Sequence, residues 1–241
     1  MKKKRNSTFV NNLITYLIVI VAFVAVTLLQ NAGMISRSLK GQLVPICVYI
    51  VMAVSLNLVV GISGELSLGH AGFMSVGLFS GCLVSIALAN TALPLAVRLP
   101  VSMLAGGLVA AVFSYLVGVP ALRLQGDYLA IITLGFGEII RVIIQNLKVA
   151  GGMGLDKGAA GQALIGIDRL ANLYVVFWIT VVTVVLLFMF ARSRYGRAVK
   201  AIRDDEIAAS ASGINITNMK VLVFAISAFF AGIAGGIFAQ Y

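Results

Sequence analysis

Long apolar runs separated by short polar stretches organise the whole chain. A membrane-spanning helix needs about 20 apolar residues, and the runs that meet this are Leu13–Leu29, Leu43–Val60, Ala71–Ala89, Leu99–Val119, Tyr128–Leu147, Leu173–Ala191 and Met219–Tyr241. Each predicts a transmembrane helix, and the last is cut by the end of the chain. The fold class expected is all-α: a polytopic helical membrane protein of about seven spans. One polar stretch stands apart. Arg192 to Lys220, between the last two runs, is the one sizeable charged surface that such a protein offers to a soluble partner.

Composition sharpens this reading. With 61% hydrophobic and 11% charged residues, the chain is outside the range of water-soluble domains. Its net charge of +10 does not point to nucleic acid, because no basic domain stands apart from the spans. Lysine and arginine beside spans instead set orientation and meet anionic lipid. Met1-Lys2-Lys3-Lys4-Arg5 has the basic start of a signal peptide, but the apolar run after it is long and lacks an Ala-x-Ala site, so an uncleaved first span is expected. A cytoplasmic N-terminus then places Arg123, Arg192, Arg194, Arg197, Lys200, Arg203 and Lys220 inside. Arg37, Lys40, Arg98, Lys148, Lys157 and Arg169 fall outside. Cys47 and Cys82 lie within apolar runs and imply neither a disulfide framework nor a metal site.

Several polar groups sit where a purely structural span would not place them. The glycine-rich stretch Gly61-Ile62-Ser63-Gly64-Glu65-Leu66-Ser67-Leu68-Gly69-His70-Ala71-Gly72 is a poor helix. It is either a re-entrant or broken segment at a translocation path, where protein or water can satisfy its backbone, or an ordinary cytoplasmic turn. His70, the sole histidine, is either a hydrogen-bonded packing residue or a proton carrier. Glu138 and Arg141 stand one helical turn apart and share a face, forming either a structural ion pair or a wall of the path. Charges at such depth usually face a bundle interior. Glu65, Ser67, His70 and Glu138 are accordingly the candidate path residues.

The small residues of Gly232-Ile233-Ala234-Gly235-Gly236 and of Gly77 to Gly81 allow close helix packing. Gly135-Phe136-Gly137 lacks the third glycine and the βαβ setting of a dinucleotide site. With no P-loop, nucleophile elbow or metal-type cluster in the sequence, no catalytic residue, metal site or bound cofactor is expected.

The polar stretch divides into two short helices with a break near Asp204 and Asp205. Lys200 and Arg203 suit the end of the first helix dipole, and either aspartate can cap the second. Gly213 suits a left-handed stop. Ala208, Ala209 and Ala211 would leave a narrow surface for a groove on a partner; a merely solvated charged loop is the alternative.

Three blocks of the chain resemble the M-type permease subunit of the branched-chain amino acid (leucine/isoleucine/valine) ABC importer family. The first runs from Leu56-Asn57-Leu58-Val59-Val60-Gly61 through Ser67-Leu68-Gly69-His70-Ala71-Gly72-Phe73. The second runs from Arg123-Leu124-Gln125-Gly126-Asp127-Tyr128 to Leu134-Gly135-Phe136-Gly137-Glu138-Ile139-Ile140-Arg141. The third runs from Gly196-Arg197-Ala198 to Gly213-Ile214-Asn215.

The resemblance implies that residues 192–220 form a cytoplasmic coupling loop inside a single permease domain of residues 1–241. Arg203, Asp204, Asp205, Glu206, Ala208, Ala209 and Gly213 would then carry motion from an ATPase, although Ile207 separates the glutamate from the alanines of the family's Glu-Ala-Ala pattern. It implies two ABC ATPase subunits that bind the ATP, a second homologous permease, an extracytoplasmic substrate-binding protein and a place in the bacterial inner membrane. In the loop after Asn146, Ala150 precedes Gly151-Gly152 where the family usually has threonine, and the family continues through further spans, so a C-terminally incomplete chain is expected. The expected function is ATP-driven import of branched-chain amino acids by alternating access. The alternatives are a related permease for urea or short amides, and a proton-coupled secondary transporter using Glu65, His70 or Glu138.

Overall fold

The computed structural model describes residues 21, 23, 25–30, 36–89, 95–122, 124, 126–146 and 172–241. Most of the expected first span Leu13–Leu29, the basic N-terminus, Arg123 and the loop containing Gly151-Gly152 lie outside the described residues. The chain divides into compact units of residues 1–43 and 44–241. Residues 25–30 of the first unit are helical.

The helices in chain order are α1 (Arg37–Asn57), α2 (His70–Ala89), α3 (Leu95–Ala121), α4 (Asp127–Asn146), α5 (Leu173–Arg192), α6 (Arg194–Asp204), α7 (Glu206–Ala211) and α8 (Ile216–Phe238), with a π-helical turn at Leu58–Ser63 after α1. No strand occurs among the described residues, and the protein is all-α and polytopic. The stretches Ser38–Ser63, His70–Leu88, Val97–Ala121, Leu173–Arg192 and Ile216–Phe238 are long and apolar enough to cross a membrane. They coincide with five of the expected spans, while α4 is the helix over the expected Tyr128–Leu147 span and the most one-sided of the long helices.

Helix α8 is central. Its spanning window is 72% buried against 22% for α5, and it packs on α2 and α3. Glycine makes this packing possible. A Cβ on Gly77 would collide with the backbone of Gly232, and one on Gly81 would lie 3.2 Å from Gly236 Cα. Two glycines facing each other let helix backbones meet, gaining dispersion contact where lipid provides no hydrophobic drive. The small-residue runs noted in the sequence are therefore the α2–α8 contact. Around it, Val48, Val51, Leu58, Phe73, Val223, Phe224 and Ile237 form the buried core. Cys47 and Cys82 are free and buried.

The glycine-rich stretch is a broken segment. Helix α1 widens into the π-turn, which ends at Gly64, φ +78°, a left-handed conformation that side chains rarely adopt. Residues 65–69 are non-helical, and α2 begins at His70. An ordinary surface turn would leave its polar residues in solvent, whereas Ser63, Ser67 and Gly69 are buried here, as membrane-depth backbone requires.

Candidate functional site

The expected coupling residues and the expected path residues meet at one lysine. Lys220 Nζ lies 2.7 Å from Glu65 Oε1, in the broken segment, and 3.1 Å from Glu206 Oε1, at the start of α7. The side chains of Lys220 and Glu65 are 9% and 15% exposed, and that of Glu206 is 39% exposed. Lys220 is in the second turn of α8. Two carboxylates compensate for the burial of its ammonium group.

A second tie lies alongside. Arg203, in the last turn of α6, donates from Nη1 to the Gly61 carbonyl of the π-turn at 3.0 Å, while its Nη2 and Nε donate to Asp204 Oδ1. Its aliphatic stem lies so close to Gly64 that a Cβ there would sit 2.6 Å from Arg203 Cγ. Glycine at position 64 thus serves both the left-handed turn and the seat of Arg203. Helix α6 buries Gly196, Val199 and Ile202 and packs on the π-turn and on α8.

Local capping chemistry shapes the two short helices. Ser193 Oγ accepts from Gly196 N at the start of α6. The break falls at Asp205, whose Oδ1 accepts from Ile207 N at 2.9 Å and Ala208 N at 3.0 Å, an N-cap for α7. At the far end Gly213, φ +82°, donates to Ser210 O, and Ile214 donates to Ala209 O. This pair of bonds is a Schellman stop. The expected alanine surface changes composition, since Ala209 is buried and the exposed residues of α7 are Ile207, Ala208, Ser210 and Ala211. Ile207 is 83% exposed.

The broken segment is gripped from its other side as well. His70 Nε2 lies 2.8 Å from Ser55 Oγ. Ser55 Oγ also donates to Met52 O at 2.9 Å; its single proton is thereby used, so the ring donates from Nε2. Ser227 Oγ donates to Ser55 O at 2.6 Å, and the Phe73 and Phe224 rings meet edge to face at 5.3 Å. Lys220, Phe224 and Ser227 follow one helical face, so a single side of α8 touches Glu65 before α2 and Phe73 within it. Leu68 N donates to Thr133 Oγ1 of α4 at 3.1 Å. Ser67 Oγ is buried and finds no hydrogen-bond partner among the described residues.

Glu138 is elsewhere. It forms a two-pronged ion pair with Arg141, and their side chains are 58% and 53% exposed, so within this chain the pair faces outward. The two line a shallow cavity of about 150 Å³ with Gly69, Gly72 and Ser75. Sequence reasoning missed Lys220, Ser55 and Ser227 as parts of this arrangement. The available signal was a lysine opening an otherwise apolar final run, with no carboxylate of its own helix to meet it. Among the described residues no group of three His, Cys, Asp or Glu could hold a metal ion.

Residues 38–241 match the family described as the branched-chain amino acid transport system permease component. The chain belongs to that family. It is 36% identical to the high-affinity branched-chain amino acid transport permease LivM of Salmonella typhimurium over 86% of this chain and 53% of that protein. Identity to the Escherichia coli LivM is 35%, with the same coverage. The ribose import permease RbsC of Haemophilus influenzae is 27% identical over 77% of this chain and 55% of its own length. The chain thus spans about half the length of these relatives. No solved structure matches. Permease membership accounts for a bundle of apolar helices joined by one compact charged turn, α6–α7.

Proposed function

We propose that this permease forms the membrane path of an ATP-driven importer for branched-chain amino acids. The observation that carries the reading is the direct linkage of α6–α7 to the broken segment through Lys220 and Arg203. Such a linkage gives a soluble motor something to move: two capped helices packed on the π-turn and on α8, with Ile207 exposed as an apolar knob. ATP would be bound and cleaved by ABC ATPase subunits docked there. A second homologous permease would complete the path, and an extracytoplasmic binding protein would deliver the substrate. Positive-inside charge supports a cytoplasmic N-terminus and a cytoplasmic α6–α7 in a bacterial inner membrane.

This arrangement supports alternating access. Motion of α6–α7 would shift the broken segment, whose irregular backbone can rearrange more readily than a continuous helix, and with it Ser67 and His70 at the start of α2. The outward-facing Glu138–Arg141 pair requires water or protein around it, which supports placing α4 along the path. Glu65 is engaged by Lys220, which joins two elements, and Glu138 by Arg141 within α4, so both carboxylates are held in ion pairs, an arrangement poorly suited to carrying protons. The LivM relatives favour branched-chain amino acids as cargo, with the binding protein doing most of the selection.

Labelled leucine uptake into proteoliposomes containing the permease, its sister permease, ATPase subunits and binding protein tests the reading. Uptake should require ATP and be competed by isoleucine and valine. Competition by urea or ribose alone would reassign the cargo.

A further inference from the structure

We propose that Lys220 is a positioning residue of the transport cycle, the joint that makes α6–α7 and the broken segment 58–69 move as one piece. This rests on the coupling reading above and adds to it the residue that transmits the motion.

Four observations lead there. Lys220 is the shared partner of Glu65 and Glu206, two carboxylates on different pieces of the chain. Both pieces already touch through Arg203 and the Gly61 carbonyl, so the lysine closes a second link and leaves the pair little freedom to pivot about a single hydrogen bond. The lysine is itself fixed on α8, the most buried helix of the bundle, and its head is 9% exposed. Finally, the same face of α8 holds Phe73 through Phe224 and Ser55 through Ser227. A displacement received at Glu206 therefore reaches both flanks of the break.

This arrangement also divides the roles within α7. The Glu206 carboxylate is directed inward to Lys220, and the outward contact with a motor is left to Ile207, Ala208 and Ala211. Removing the lysine head leaves Glu65 and Glu206 as like charges across the space it filled. They then push the broken segment and α7 apart rather than hold them together. Arginine keeps a cation and additional donors at the same place; methionine keeps the length and removes the charge.

The test uses two readouts. In the assembled importer, Lys220→Met should keep ATP hydrolysis while leucine uptake per ATP falls about ten-fold, a loss in the usual range of coupling between sites; Lys220→Arg should restore most of it. Spin labels at Leu66→Cys and Ser210→Cys, in a background with Cys47→Ala and Cys82→Ala, should give one narrow distance distribution that broadens or shifts in Lys220→Met and stays narrow in Lys220→Arg. If Lys220→Met does not accumulate, Glu65→Gln is read the same way. An unchanged distribution together with unchanged uptake per ATP overturns the joint, as does an arginine variant as impaired as methionine. A wild-type importer without ATP-driven uptake would remove the transport reading alone, because the label distances still decide whether the lysine joins the two pieces.

Discussion

Lys220 Nζ stands 2.7 Å from Glu65 Oε1 although the two residues belong to opposite ends of the described bundle in sequence. One comes just after the π-turn and the other lies in the second turn of α8, so the contact closes the broken segment onto the central helix. Breaking a buried ion pair outright costs about 3–5 kcal/mol because a charge is left uncompensated; here Lys220 keeps Glu206 when Glu65 is neutralised, so the loss should be smaller. Glu65→Gln should therefore lower the thermal unfolding midpoint of the purified protein, and adding Lys220→Met to it should cost less than the sum of the two single changes. Strict additivity in a scanning unfolding experiment would show that the two side chains do not interact.

Ile207→Asp should leave the fold intact, because the side chain is 83% exposed, the backbone N–H that Asp205 caps is kept, and a carboxylate in the first turn of a helix is favoured by its dipole. Binding of the ATPase subunits should fall sharply, since the charge would have to enter an apolar contact. Co-purification from membranes measures this, and full recovery of the ATPase with the aspartate variant would place the docking surface elsewhere.

Asp205→Ala removes the acceptor for Ile207 N and Ala208 N. Loss of such a cap costs about 0.5–2 kcal/mol. Amide hydrogen exchange should accelerate at those two positions while α8 stays protected. Equal protection in both proteins would mean that α7 is held by packing alone.

The α6–α7 break was legible because caps are local. An aspartate at the junction and a glycine seven residues after Glu206 are enough to bracket a short helix, and both are used as expected. The long spans were legible from hydropathy for the same reason. The Glu65–Lys220–Glu206 junction was not, since ion pairs between distant segments leave no periodic trace. The inward turn of Ala209 was also hidden: a helix of six residues has too few positions for a pattern to fix which side faces the bundle. The glycine-rich stretch identified itself as irregular but left a broken segment and a simple turn equally open, and only the burial of Ser63, Ser67 and Gly69 separates them.

Gly232→Leu should severely damage the bundle. Even a Cβ at Gly232 would lie 2.6 Å from the Ala110 Cβ and 2.9 Å from Gly107 Cα, and backbone neighbours cannot rotate away. Overpacking costs about 1–3 kcal/mol in adaptable cores, occasionally more, and this site adapts poorly. The variant should be recovered as aggregate, with no monodisperse peak on size exclusion in detergent. A well-behaved peak with wild-type thermal stability would mean that α3 and α8 are farther apart than described.

An ATP-driven motor acting on this bundle through α6–α7 fixes the energy source for uptake. Proteoliposomes holding the assembled importer should accumulate labelled leucine with ATP present on the motor side after the proton and sodium gradients have been dissipated, and should stop when ATP is withdrawn. Uptake that continues without ATP and collapses with the gradients would make the protein a gradient-driven transporter instead.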